Sequence, residues 1–299
     1  MPEELKDAYR DYQNGKISRR EFMHKAIVIT GSFAAANSLI GSLLPRDFQA
    51  AQVDPNDPAI LTHNVTYESK AGPVSGYLVR PVKAGQYPGL IVIHENRGLD
   101  DHVRDVARRF AKEGYVALAP DFLSRQGGTM KANPKGAGLP NIRELAPSQA
   151  VVEDTDAGIR YLQVLPDVRR DRMGVVGFCW GGGMAFITAT QIPHLRKSQT
   201  PQLRAVVVYY GASPDPLEQV KSIQAPVLAN YGEKDPNINK GIPDTEAAMK
   251  KYNKVYDYKI YPGAQHAFNN DTNPERYNAQ ASKEAWERTM EFLKKNLKA

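Results

Sequence analysis

The amino-acid sequence predicts an α/β fold: a mostly parallel central sheet with helices on both faces, preceded by a separate helical segment. Three observations predict it. From about residue 60 onward, short apolar runs alternate with amphipathic stretches, the rhythm of strand–helix–strand units. The apolar runs are continuous, as in strands covered on both faces. The 299 residues, 41% hydrophobic and 24% charged, suffice for one large α/β domain with an appendage. No internal repeat of about 20–50 residues points to a solenoid or propeller instead.

The net charge of +6 comes from Lys and Arg scattered along the chain. That pattern describes a solvated surface, and no nucleic-acid partner is expected. The single cysteine, Cys179, rules out an intrachain disulfide and any multi-cysteine metal site. No paired His or His–Cys spacing occurs, so no metal is expected.

Residues 1–58 form the appendage. Residues 3–13 are polar, with Leu5, Ala8, Tyr9 and Tyr12 at helical spacing and Asn14-Gly15 as a stop. Ile17-Ser18-Arg19-Arg20-Glu21-Phe22-Met23-His24-Lys25 then precedes an apolar run over residues 26–44, closed by Pro45, Arg46 and Asp47. Ser-Arg-Arg-x-Phe-Met-x-Lys ahead of a moderately apolar stretch resembles a twin-arginine export signal. That reading is favoured; it places the protein in a bacterial periplasm and makes the export machinery a partner. The cleavage region is weak, because Phe48 or Gln49 stands where a small residue is expected before Ala50-Ala51. The competing reading is a retained arm of a cytoplasmic protein, able to support a homo-oligomer. Ser18 and Glu21 then form a capping box, with Ile17 and Phe22 as its hydrophobic staple. A membrane anchor is disfavoured because Gly, Ser and Asn interrupt the run. Residues 52–58 read as a polar linker.

Residues 59–299 read as one domain. Residues 65–68 and 74–79 open it as a hairpin, and residues 89–94 form a buried parallel strand. Residues 101–114 are a helix, since Val103, Val106, Ala107, Phe110 and Ala111 share one face and Gly114 ends it. A strand over residues 115–119 follows. Residues 124–148, rich in Gly, Pro, Asn and Lys, read as a long surface loop of the kind that carries function. Helices are expected over residues 150–165, 181–191, 243–251 and 278–297, and strands over 172–178, 205–209, 227–231 and 256–261.

The chemistry-bearing signal is Gly177-Phe178-Cys179-Trp180-Gly181-Gly182-Gly183, between the apolar residues 173–176 and a helix of small residues. This is the strand–turn–helix setting of a nucleophile elbow. The nucleophile stands at the apex of a tight turn, so the residues two before and two after it must be small. Gly177 and Gly181 meet that need. The helix beginning beneath the sulfur turns its positive end towards Cys179, which suits a thiolate nucleophile.

In the α/β-hydrolase chain order, an acid and then a histidine follow the nucleophile. Residues 226–236 run from an apolar strand into Gly232-Glu233-Lys234-Asp235, placing Asp235 at a strand's carboxyl end, with Glu233 as the fallback. His266 lies beyond that strand and the next one, whereas His194 comes too early. The oxyanion hole needs two backbone N–H groups. One is that of Trp180, directly after the nucleophile; the other, by position in the turn His94-Glu95-Asn96-Arg97-Gly98, is that of Asn96.

Ile91-Val92-Ile93-His94-Glu95-Asn96-Arg97-Gly98-Leu99, Ala117-Leu118-Ala119-Pro120-Asp121-Phe122 and Gly177-Phe178-Cys179-Trp180-Gly181-Gly182 together resemble the dienelactone hydrolase family of α/β-hydrolases. The resemblance covers about residues 60–299. It implies hydrolysis of a small-molecule activated ester or enol lactone through an acyl-cysteine intermediate, with Cys179, His266 and Asp235 as the triad. That hydrolysis needs no organic cofactor. It also implies a role for Glu95, since a family glutamate at that turn accepts the thiol proton when substrate displaces it. Family members that cleave dienelactone hold its carboxylate with arginines, one of them four residues after the histidine. Asn270 stands there in this chain, leaving Arg97, Arg125 and Arg143 as candidate substrate-binding residues. The rival readings are a broad-specificity esterase or thioesterase, and a self-assembling or binding protein on a hydrolase scaffold.

Overall fold

The structure, a computed structural model, describes residues 2–13, 17, 19–32, 35–36, 52–196 and 203–298. Eight strands form one sheet: β1 (Ile60–Ser69), β2 (Gly72–Pro81), β3 (Tyr87–Ile93), β4 (Val116–Pro120), β5 (Val168–Phe178), β6 (Ala205–Tyr209), β7 (Val227–Lys234) and β8 (Tyr256–Gln265). Their order is β1-β2-β4-β3-β5-β6-β7-β8. The β1–β2 and β2–β4 pairings are antiparallel and the other five are parallel. Helices make four of the parallel crossovers, α3 (Asp101–Lys112), α4 (Ser148–Gln163), α5 (Trp180–Arg196) and α6 (Ile242–Lys251); the 3-10 helix Leu217–Ser222 lies between β6 and β7, and α7 (Ala279–Leu293) follows β8.

The continuous apolar runs are explained by burial on two faces. In β3, Ile91 and Ile93 join one core with Leu118, Val151, Ile159 and Phe186. Leu90 and Val92, one residue out of phase, join the other with Val106, Phe110, Tyr209 and Leu228. The helix over α3 is set by both ends. The Asp100 side chain accepts from the Val103 N–H at 3.1 Å, and Gly114 takes φ +79° just past the last turn. Helix α5 continues past the expected stop at residue 191 and carries Pro193 within it, because Ile192 still packs into the core.

The strand order positions the site. From β3 the chain goes to β4 on one side, then crosses back to β5 on the other. The carboxyl ends of β3 and β5 therefore meet at a topological switch point, the place where open α/β sheets bind ligands. Glu95 and Asn96 follow β3, and Cys179 follows β5.

Two segments differ from expectation. Residues 124–148 are not an open loop. They hold a short 3-10 turn, Ser124–Gln126, and two single-turn helices, Thr129–Ala132 and Ile142–Leu145. Asp121 organises them, accepting from the Thr129 N–H and hydroxyl, each at 2.7 Å, and from the Leu123 N–H at 3.0 Å. The start of the linker is also docked. The Gln52 and Val53 N–H groups donate to the Asp105 carboxylate at 3.1 and 2.9 Å.

In the N-terminal segment α1 (Glu3–Gln13) and α2 (Arg19–Thr30) share a small core of Leu5, Ala8, Phe22 and Ala26, separate from the two cores of the sheet. Ile17 packs against that core with Phe22, as the staple requires. The Asn14-Gly15 stop, the Ser18 cap and residues 37–51, with the rest of the apolar run and the cleavage region, lie outside the described residues. Among the described residues no helix is long and apolar enough to cross a membrane.

Candidate active site

Cys179 joins β5 to α5 with φ +56°, a left-handed conformation that a non-glycine residue adopts only when its surroundings impose it. Its N–H donates to the Tyr209 carbonyl at 3.0 Å, and its carbonyl accepts from Gly182 and Gly183. The flanking glycines are a steric necessity. A Cβ on Gly177 would fall on the Gly181 carbonyl, and one on Gly181 would run into the carbonyls of His94 and Ile93. Of the three other non-glycine residues with positive φ among the described residues, Tyr210 directly follows β6 and Ala267 directly follows His266, while Asn253 lies before β8, so most of this backbone strain is near the site.

Strand β8 runs four residues past its expected end, and Lys234 of β7 pairs with Gln265 of β8. The next residue on each strand is Asp235 and His266, so the register makes them neighbours. The His266 Nδ1–H donates to Asp235 Oδ2 at 2.5 Å, and Nε2 lies 3.0 Å from Cys179 Sγ. Asp235 is buried, Cys179 half-buried, and the His266 side chain 25% exposed, so the imidazole lies at the boundary where a small molecule could reach it. Burial works against the charged imidazole, but the hydrogen bonds to Asp235 and to Cys179 outweigh it and push His266 up to about 10.

The fallback residues are elsewhere. The Glu233 carboxylate accepts from the Gly263 N–H at 2.7 Å, and His194 is paired with Ser222. The N–H groups of Asn96 and Trp180 have no hydrogen-bond acceptor among the described residues.

Glu95, two residues past β3, is buried. Its carboxylate accepts from Asn270 Nδ2 at 2.7 Å and from the Tyr210 hydroxyl at 3.2 Å, and no hydrogen bond joins it to Cys179 among the described residues. Asn270 thus serves Glu95, while its Oδ1 accepts from the N–H and hydroxyl of Thr272. Sequence reasoning missed Tyr210 and the second task of Asn270. A signal existed for Tyr210, which directly follows β6 as Cys179 follows β5.

Of the three candidate arginines, only Arg97 stands beside the site. Its carbonyl accepts from Asn133 Nδ2 at 2.9 Å, and the Asn96 carbonyl accepts from the Leu139 N–H at 3.0 Å, which docks residues 133–139 onto this turn. The Arg125 guanidinium is bound instead to Asp154, at 2.6 and 2.8 Å, and to the Ala71 carbonyl. Bound to α4 and the β1–β2 turn, it has no donor pair left for a substrate. Arg143 is exposed on the Ile142–Leu145 turn, and among the described residues it has no hydrogen bond to those around Cys179.

Behind the site lies a buried ionic cluster. Asp271, next to Asn270, accepts from His102 Nδ1 at 3.1 Å, Arg109 at 2.5 Å and Gln52 Nε2 at 3.0 Å. Burial would raise the Asp271 carboxyl, but His102 and Arg109 hold it far below the usual carboxylate range. The cluster ties the turn that carries Asn270 to α3.

Comparison with known proteins agrees with this architecture. The family model described as the dienelactone hydrolase family matches residues 74–297. A Saccharolobus solfataricus protein named carboxymethylenebutenolidase is 33% identical over 77% of this chain and 97% of its own length. A Synechocystis protein of the same name is 34% identical over 80% and 98%. A Klebsiella pneumoniae crystal structure described as a dienelactone hydrolase superposes with a TM-score of 0.69 at 29% identity, over 79% of this chain and 98% of that one. A brefeldin A esterase, at 14% identity and a TM-score of 0.64, shares the fold alone.

Proposed function

The chain belongs to the dienelactone hydrolase family and is a carboxylic ester hydrolase, and from that premise we propose that it cleaves activated esters or enol lactones through an acyl-cysteine formed on Cys179. One observation carries the reading: Asp235, His266 and Cys179 form an unbroken hydrogen-bonded line.

In the proposed reaction the Cys179 sulfur attacks the ester carbonyl carbon, with its proton already held by His266. The Asn96 and Trp180 N–H groups take the oxyanion. As the tetrahedral adduct collapses, the C–O bond breaks and the imidazolium protonates the leaving alkoxide. Neutral His266, oriented by Asp235, then takes a proton from water, and the hydroxide attacks the thioester. Collapse breaks the C–S bond, returning the sulfur to His266 and releasing the acid. A thiolate is a good nucleophile and also a good leaving group, so substrates with stable leaving groups, including thioesters, are favoured over amides.

Glu95 is a carboxylate that positions Asn270 and Tyr210 beside the triad. At rest it is held by Asn270 and Tyr210, and the thiol proton passes to His266 without it. For residues 1–58 the export reading rests on Arg19-Arg20 ahead of the apolar run, and the α1–α2 core supports the retained arm. The intact mass of protein from its native cell separates the two.

The test of function compares wild type with Cys179→Ala on p-nitrophenyl acetate, a dienelactone and a short thioester. Turnover of at least one by wild type, lost in the variant, is expected. Equal rates for both proteins on all three would refute the proposal.

A further inference from the structure

Beside the proposed oxyanion donors stands a buried histidine that the proposed reaction does not use. His94 follows β3, is fully buried and touches both the Glu95 carbonyl, just before Asn96, and the Trp180 ring. Its Nδ1 is 2.6 Å from the Glu95 carbonyl oxygen, and the Phe122 N–H points at its Nε2 from 3.3 Å. A carbonyl only accepts and a backbone N–H only donates. Nδ1 therefore carries the proton and Nε2 is bare, which makes the ring neutral and fixes its tautomer. Burial, which pushes the imidazole down, agrees with that state.

We propose that His94 is a positioning residue of the oxyanion hole, fixing the peptide whose N–H is that of Asn96 and bracing Trp180, whose N–H is the other donor. The Glu95 carbonyl and the Asn96 N–H are the two ends of one planar peptide unit. Gripping the oxygen sets the direction of the hydrogen. The Gly98 N–H also donates to that oxygen, at 3.3 Å, and the next carbonyl along, that of Asn96, is held by Leu139. The peptide is thus pinned from its carbonyl side, while its N–H has no acceptor among the described residues. A hydrogen bond to a carbonyl also polarises the amide and makes its N–H a better donor.

The second contact is with the other donor. The His94 ring stacks on the Trp180 indole at 5.4 Å and 25°, and Phe122 closes the group at 5.3 Å from His94. Trp180 opens α5, and the neighbouring Gly181 lies so close to the His94 carbonyl that a side chain would not fit. Side chain and backbone of His94 together hold the β3 turn and the start of α5 in one relative position. An apolar residue of similar size would keep the packing and leave the Glu95 carbonyl with only the longer bond from the Gly98 N–H.

This inference rests on the acyl-cysteine reading, and the experiment separates the two. His94→Asn places an amide donor near the Nδ1 position and loses Nε2. His94→Gln places its amide near Nε2 and loses the donor to Glu95. His94→Leu loses both. Three quantities are read for each: kcat and KM on p-nitrophenyl acetate, and the rate of Cys179 alkylation by iodoacetamide, a displacement that forms no oxyanion. For His94→Gln and His94→Leu we expect kcat to fall about 10–100-fold, with KM within about threefold and alkylation within about twofold of wild type. His94→Asn should recover kcat to within about fivefold. Equal losses in the Asn and Gln variants, or alkylation falling in step with kcat, overturn the proposal, since either marks general damage to the site. Should His94→Leu not fold, the Asn–Gln comparison decides alone. Wild-type turnover that does not depend on Cys179 would instead sink the acyl-cysteine reading beneath it.

Discussion

Lys234 and Gln265 pair across β7 and β8, and this contact of register delivers Asp235 to His266. The acid and the histidine come from loops 31 residues apart, yet each needs only to be the next residue on its strand. Asp235→Asn should therefore lower kcat/KM by about 100-fold or more, because the imidazole loses the carboxylate that orients and charges it. Glu233→Gln, which disturbs only the bond to the Gly263 N–H, should stay within about twofold. Steady-state kinetics of the two variants check this; the reverse order would make Glu233 the functional acid.

The His266 imidazole, pushed up to about 10, gives a pH dependence of definite sign. Below that pH the ring carries the proton that the leaving alkoxide needs. Turnover should therefore fall as pH rises through about 10, while iodoacetamide alkylation of Cys179, which needs no proton donor, should not. Parallel pH profiles of the two rates would contradict the assignment.

Glycine spacing gives a third prediction. Gly181→Ala should destabilise the fold by about 3 kcal/mol, because no rotamer relieves a contact with backbone carbonyls. Two residues on, a Cβ at Gly183 would sit 3.5 Å from Ala212, an ordinary contact. Gly183→Ala should stabilise α5 by about 0.5–1 kcal/mol through helix propensity. Urea unfolding of both variants measures the contrast, and similar destabilisation by the two would argue against the elbow geometry.

The buried cluster should govern acid stability. The Asp271 carboxyl lies lower folded than unfolded, so its contribution is present above the ordinary carboxylate range and lost as pH falls below about 4. His102, raised by Asp271 against the opposing effect of burial, contributes below its ordinary value and loses that contribution as pH rises past its folded one. Asp271→Asn should cost about 3 kcal/mol near neutral pH, leaving His102 and Arg109 without their shared carboxylate. That cost should shrink as the pH falls below about 4. A cost independent of pH would show that the cluster works through packing rather than charge.

Much of the fold was legible because its strands are buried on both faces. For β6 the expected and observed bounds coincide, a five-residue apolar run being hard to misread. The end of β8 was misplaced because Pro262-Gly263 has the look of a turn, and the strand passes through Gly263 at φ +69°. The order of residues 124–148 was hidden because it depends on a carboxylate, Asp121, and a hydroxyl, Thr129, with no periodicity to betray them. At the site, Cys179 was readable from local spacing. The partners of Glu95 were not, since Tyr210 and Asn270 lie 115 and 175 residues away and only the folded sheet brings them there.

The central claim is that the acyl group is carried by Cys179. Mixing the protein with p-nitrophenyl acetate, quenching in acid within the first turnover and mapping the adduct by mass spectrometry tests it directly. The account predicts a burst of p-nitrophenol equal to the active sites and one acetyl group on the Cys179 peptide, absent from Cys179→Ala. Turnover with no adduct on that peptide, or with the adduct on another residue, would contradict it.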